Sequence, residues 1–325
     1  MVAGAKFYAS ALALAAAATA TPFQAKRASS AGCGTAHTSG YNTNGGAGFA
    51  LGSRTYTVRV PPNYSTTKAY PLIVDFHGRH GTSDSQHLTS QYDTFDTNGD
   101  FIVVYPQGVD QAWEGASYAD PSVDDKAFVA SLVQHFQDTY CIDPKRIYAS
   151  GKSNGGGFVG TLACSAQGSL FAAFAMNSAA LYTDNLGAGS TSRTCTPSRA
   201  AIPIIEVHGS ADGTISYNGG SGAGGNTPPI ATWLNTWATR NGAVDKTVHY
   251  PSPTYGSRVN LTTWHASGTS NILIEGIWIQ GMDHCWASVN SNEDWSKHSA
   301  CQAPLNASSI FMDFFNKWDL SGARS

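Results

Sequence analysis

Arg146-Ile147-Tyr148-Ala149-Ser150-Gly151-Lys152-Ser153-Asn154-Gly155-Gly156-Gly157-Phe158 joins a β-forming run to a helix-forming run through a turn of small residues. Arg146 to Ser150 reads as a strand, about Asn154 to Ala166 as a helix, and Gly151 to Gly155 fits G-x-S-x-G between them. A turn this tight needs small residues around Ser153, and the helix N-terminus beyond it offers backbone N–H groups to a developing oxyanion. Ser153 is therefore the expected nucleophile; a purely structural turn is the plainer alternative. A P-loop reading of Gly151-Lys152-Ser153 fails because its pattern requires glycine where Arg146 stands.

Upstream, Arg54 to Val60 alternates Tyr56, Val58 and Val60 on one face and is stopped by Pro61-Pro62, which predicts a strand. Leu72 to Phe76 and Phe101 to Tyr105 are short continuous apolar runs, the pattern of buried parallel strands. Between Asp124 and Tyr140 the apolar residues recur at helical spacing. Further strands are expected at Ala172 to Asn177, Ile202 to His208 and Ile272 to Ile279, with helices at about Ala231 to Arg240 and Ser308 to Leu320. This alternation predicts an α/β fold, a mostly parallel central sheet with helices on both faces. Gly220-x-Gly222-x-x-Gly225 lacks a strand-to-helix context and reads as loop.

A serine at such a turn needs an acid and then a histidine, in that chain order. Asp212 lies in Gly209 to Thr214, the exit of the Ile202 to His208 strand, and is the expected acid; an Asp-Gly turn residue is its structural alternative and Asp184 its competitor. Of His249, His265, His284 and His298, only His284 follows closely on a strong strand, so it is the expected base. The two oxyanion donors should be the backbone N–H groups of Asn154, directly after the nucleophile, and Arg79, in the loop after Leu72 to Phe76. His77 and His80 lack further ligands at zinc spacing, and neither a metal nor a cofactor is expected.

Composition agrees with an extracellular catalyst. The chain of 325 residues is 42% hydrophobic and carries 19 basic against 22 acidic residues, a balance that predicts a folded core and offers no footprint for nucleic acid or an anionic membrane. Residues 1–20 combine Lys6, an apolar run and Ala18-Thr19-Ala20, as a secretory signal peptide does. Lys26-Arg27 reads equally as a processing site closing a short propeptide at 21–27 or as an exposed basic pair, which leaves 28–325 as one catalytic domain with no appended carbohydrate-binding module. Asn63, Asn260 and Asn306 head glycosylation sequons, although Asn306 could instead cap the last helix. Six cysteines in a secreted chain point to three disulfides.

Taken together, Phe76-His77-Gly78-Arg79, Tyr105-Pro106-Gln107-Gly108, Cys141-Ile142-Asp143, the Gly151 to Phe158 turn and His208 to Thr214 resemble the fungal feruloyl esterases of the C type. That group is similar to the polyhydroxybutyrate depolymerase-like esterases and carbohydrate esterase family one. The resemblance implies an α/β-hydrolase, secreted, that releases ferulic and related hydroxycinnamic acids from arabinoxylan or pectin. It implies Ser153 as nucleophile, Asp212 as acid and His284 as base, with Gln107, Trp113 and Trp286 on loops facing the substrate. The sequence departs from that group at Met282-Asp283-His284-Cys285, where a small residue is expected beside the histidine, and in the length of its Gly-rich stretch 219–225. Acetyl xylan esterase and polyester depolymerase share the triad and differ in the acyl pocket; a non-catalytic wall-binding protein is the reading from another class.

The cysteines can then be placed. A helix running back from the serine brings Cys164, about 16 Å along it, to the end of the sheet that holds Cys141 and Cys195. Cys285 and Cys301 share the opposite end. The expected pairs are Cys285 with Cys301, and Cys164 with Cys195 or Cys141, leaving Cys33 for the remaining one.

Overall fold

A computed structural model describes residues 29–182, 195–243 and 245–324, together with Met1. The leader and processing expectations for 1–27 lie outside these residues, Met1 apart, as does Asp184. The elements are β1 (Gly40–Asn42), β2 (Phe49–Leu51), β3 (Arg54–Val60), β4 (Tyr70–Phe76), α1 (Ser83–Ser90), α2 (Tyr92–Phe95), β5 (Ile102–Pro106), α3 (Asp125–Thr139), β6 (Ile142–Lys152) and α4 (Asn154–Ala163). They continue with β7 (Ala173–Asn177), β8 (Ile204–Gly209), β9 (Gly220–Gly222), β10 (Gly225–Thr227), α5 (Ile230–Arg240), β11 (Asp245–His249), β12 (Val259–His265), β13 (Ile272–Ile279), α6 (Ala307–Phe315), β14 (Trp318–Asp319) and β15 (Gly322–Ala323).

The main sheet runs β1-β3-β5-β4-β6-β7-β8-β13-β12-β11, with β2 also on β3. Its centre, β5-β4-β6-β7-β8-β13, is parallel throughout, and both flanks are antiparallel. Every residue of β4, β5, β7 and β8 is buried, as strands covered on both faces require.

Alternation along the strands assigns the helices to their faces. Leu72 pairs with Ile147 and Ile73 with Tyr148, so Phe76 and Tyr148 point to opposite sides. Phe76 meets Phe158 of α4 edge-on, whereas Tyr148 stacks on Phe315 of α6 at 4.6 Å. Tyr56, on the Phe76 side through β5, meets Phe136 of α3. Asp75, on the Tyr148 side, accepts a hydrogen bond from Gln86 of α1. Helices thus cover both faces of a mostly parallel sheet, the α/β-hydrolase arrangement.

Several elements differ from expectation. Helix α4 ends at Ala163, where Cys164 caps it and is bonded to Cys195. Helix α6 stops at Phe315, because Trp318 turns into the β14–β15 hairpin and its carbonyl accepts the Tyr148 hydroxyl. The glycine stretch is a hairpin, β9 with β10. Helix α1 is almost wholly polar and forms behind a capping box of Thr82 with Ser85. Cys33 is joined to Cys141 and Cys164 to Cys195, which resolves the open alternative. Asn306 occupies the N-cap of α6 without capping it; its side-chain oxygen accepts the Val289 N–H. Among the described residues no helix is long and apolar enough to cross a membrane.

Candidate active site

Strand β6 ends at Lys152, helix α4 begins at Asn154, and Ser153 between them is held at φ 54°, ψ −120°. That conformation is costly for a residue with a Cβ. It is held by the Ser153 N–H donating to Asn177 O and by Ser153 O accepting from the Gly157 and Ala180 N–H groups. The helix lies so close to the β4 exit that a Cβ on Gly155 would stand 2.2 Å from Phe76 O, which restricts the position to glycine.

Three strand exits converge here. Ser153 Oγ is 2.8 Å from His284 Nε2, and His284 Nδ1 is 2.7 Å from Asp212 Oδ2. Asp212 Oδ1 accepts the Thr214 and Ile215 N–H groups. Asp283 Oδ1 accepts from the His284 and Gly213 N–H groups, which stitches the acid loop to the base loop. Ser153, Asp212 and His284 are therefore brought together from β6, β8 and β13.

A second histidine, unforeseen from the sequence, lies behind the acid. His208 is fully buried, with Nδ1 2.8 Å from Glu206 Oε1 and Nε2 2.8 Å from Ile215 O and 3.2 Å from Asp212 Oδ2. Burial alone would lower its pKa, but the Glu206 and Asp212 carboxylates outweigh that and hold it up at about 10, so it is an imidazolium. Burial likewise pushes the Asp212 carboxyl up, and hydrogen bonds from the two histidines override it, leaving the acid far below the usual range. His284 moves the other way. Burial pulls it down against the opposing Asp212 hydrogen bond, and the Lys152 cation adds to the lowering, so the imidazole facing Ser153 is neutral at pH 7.

Gly78 packs on the serine, a Cβ there falling 3.3 Å from Ser153 Cβ. The loop it belongs to is fixed by His77, whose Nδ1 donates to Gly78 O while Nε2 accepts the Gly108 N–H. Burial drives His77 down to about 4, so it stays neutral. Gln107 Oε1 accepts the Ser83 N–H, Trp113 Nε1 donates to His77 O, and the Asn154 side chain pairs with both backbone groups of Trp113.

All three substrate-facing expectations are corrected by these contacts. Trp113 and Trp286 are 0% and 1% exposed and belong to the main core, Trp286 between Tyr92, Phe311 and Ser308. Gln107 braces the Gly78 loop from behind. None of the three lines the cleft of about 330 Å³ in front of Ser153. Its apolar side is instead Tyr118, Tyr182 and Ile215, facing a rim of polar side chains that includes Gln86, Lys297 and His298; Tyr182 and Ile215 anchor a small apolar cluster separate from the main core, with Tyr118 packed against it. Arg79 lies over the Tyr118 ring at 4.0 Å, and Tyr118 meets Tyr182 edge-on. The β9–β10 hairpin closes on the pair: a Cβ on Gly224 would meet both rings within 2.7 Å. Sequence offered one signal for this wall, the tyrosines themselves. Among the described residues no group of three or more His, Cys, Asp or Glu is placed to hold a metal ion.

The sequence profile of the family described as Esterase PHB depolymerase matches residues 54–221, just over half the chain. The chain belongs to that family. The matched residues include Ser153, Asp212, Arg79 and Asn154, while His284 falls beyond them. Feruloyl esterase B of Piromyces equi is 30% identical over 199 residues, 58% of this chain and 36% of that protein, so the match spans about a third of that relative. Feruloyl esterase C of Emericella nidulans is 26% identical over 237 residues, 71% of this chain and 76% of the relative. Among solved structures, an acetyl xylan esterase from Aspergillus awamori superposes with TM-score 0.52 at 18% identity, covering 72% of this chain and 89% of that one, which shows the shared fold. The esterase relatives and the family together place the chain among the carboxylic ester hydrolases.

Proposed function

We propose that this esterase is a secreted feruloyl esterase that frees hydroxycinnamic acids from plant cell-wall polysaccharide through Ser153, His284 and Asp212. The observation that carries the reading is the unbroken hydrogen-bond chain Asp212–His284–Ser153 opening onto a cleft walled by two tyrosines. Neutral His284 takes the Ser153 proton through Nε2 as Oγ attacks the ester carbonyl. Asp212 stabilises the imidazolium, and the N–H groups of Asn154 and Arg79 receive the oxyanion. The sugar hydroxyl leaves with the proton from His284, and a water, deprotonated by the same nitrogen, releases the acid. Tyr118, Tyr182 and Ile215 offer apolar surface, the two rings set edge-on, to an aromatic acyl group. The relatives named feruloyl esterase support that acyl class, and three disulfides among the described residues suit an oxidising compartment.

Two measurements test this. An organophosphonate ester should label Ser153, and Ser153→Ala should keep its circular dichroism while losing at least about three decades of kcat/KM; an unlabelled, active-as-before variant ends the catalytic reading. Methyl ferulate, methyl caffeate, acetylated xylan and a polyester film should then be compared. Methyl ferulate is expected to lead, with Tyr182→Ala lowering its kcat/KM by about tenfold or more. Faster turnover of acetyl groups or of the film would transfer the protein to those substrates.

A further inference from the structure

We infer that Lys152 and Asp294 are positioning residues, a buried charge pair that clamps the His284 loop onto the Ser153 turn and keeps a fixed cation beside His284. This rests on the reading of Ser153, His284 and Asp212 as the catalytic set. Lys152 is the residue before the serine, at the end of β6, and Asp294 lies 142 positions on. Lys152 Nζ is 2.7 Å from Asp294 Oδ1, and the side chains are 9% and 2% exposed. Asp294 Oδ2 accepts the N–H of Trp286, two residues after His284, and Asn292 donates to Trp286 O while accepting from Asp294 N. The Cys285–Cys301 disulfide closes the same loop on itself, and the charge pair fastens it to the serine turn from one side, while Asn177, which donates to Cys285 O, accepts the Ala287 N–H and whose backbone O accepts the Ser153 N–H, fastens it from the other.

A buried ion pair adds little net stability over an apolar pair of equal volume, whereas losing one partner strands the other charge. An apolar clamp would hold the loop as well, so the charges point to an effect on His284. The charges of Asp212 and His208, from β8 and its exit, of Lys152 from β6 and of Asp294 from its own loop act on that imidazole; His298 packs against it, Asp283 accepts the His284 backbone N–H and faces His298, and Lys297 lies on the cleft rim. The His298 ring packs edge-on against His284 at 5.6 Å. Among these, Lys152 opposes protonation of His284, and Asp294 counterbalances Lys152.

The two partners therefore have opposite predicted effects on the acid limb of kcat/KM against pH, read with 4-nitrophenyl acetate. Lys152→Gln leaves the Asp294 carboxylate alone and should move the limb up by about one pH unit; Asp294→Asn keeps an acceptor for Trp286 N–H, leaves the ammonium alone, and should move it down by about as much. The double variant should return near the wild type. Lys152→Arg, which keeps the charge, should leave the limb in place. Active fractions are set by organophosphonate titration, so a poorly folded preparation does not mimic a shift. Limbs that coincide, or move the same way, overturn the inference even if the variants melt early. An NMR titration placing wild-type His284 at or above pH 6.5 overturns it without any variant. Ser153→Ala separates the two failures: if it stays active, the catalytic reading is wrong, and if it is dead while the limbs do not move, only the clamp is wrong.

Discussion

At the scale of single residues the site depends on how closely backbones approach. Ser153 is held in a left-handed conformation so that its hydroxyl stands clear of both β6 and α4, and the neighbouring glycines make that possible. Gly155→Ala would drive a methyl into the carbonyls of Phe76 and His77, at 2.2 and 2.5 Å. Helix α4 would have to withdraw from the loop that carries Arg79. We expect a stability loss of about 1–3 kcal/mol in urea unfolding, and a kcat loss larger than that lower stability explains, since both proposed oxyanion donors sit on the separated elements. Unchanged kcat in the folded variant would show that the donors lie elsewhere. This glycine was legible in the sequence, because G-x-S-x-G is a local pattern. The roles of Trp113 and Trp286 were not, because an apolar ring satisfies a core and a cleft wall equally well, and only its neighbours distinguish them.

At the scale of elements, the base loop between β13 and α6 has little regular structure, and it is held by bonds of several kinds. Cys285–Cys301 closes 16 residues, Asn177 donates to Cys285 O and accepts from Ala287 N, and Asp283 bonds to the acid loop. Replacing both cysteines by serine should lower unfolding stability by about 3 kcal/mol for a loop of this length, and should lower kcat more than KM because the ring of His284 loses its fixed place. Equal stability of the oxidised wild type and the double variant in urea would sink the brace. The Cys285–Cys301 pairing was legible from which end of the sheet each cysteine occupies. Strands β11 and β12 were not foreseen, since β11 is exposed along its whole length and carries no apolar periodicity.

At the scale of the whole molecule, the buried His208 imidazolium between two carboxylates ties folding to pH. Its pKa is about 10 in the folded protein, against about 6.5 in an unfolded chain. The folded state therefore keeps a proton that the unfolded chain gives up, so this stabilisation is complete below about pH 6.5 and is lost as the pH rises through about 10. Urea midpoints should fall across that interval, and Glu206→Gln, which removes one of the two charges holding the proton, should flatten the decline. A wild-type midpoint that does not change between these limits would refute the charged state of His208.

Sequence alone determined the α/β alternation, the parallel centre of the sheet and the positions of Ser153, Asp212 and His284 at strand exits. Those properties are carried by residues near one another in the chain, through periods of two and of 3.6 and through a turn that only small residues can make. Tertiary structure decided the tyrosine wall, the Cys33–Cys141 and Cys164–Cys195 pairing, the second histidine on Asp212 and the Lys152–Asp294 contact. Each joins groups whose meeting depends on strand order or on the path of a loop. A lysine before the nucleophile looks the same in a sequence whether it faces water or a carboxylate 142 residues away.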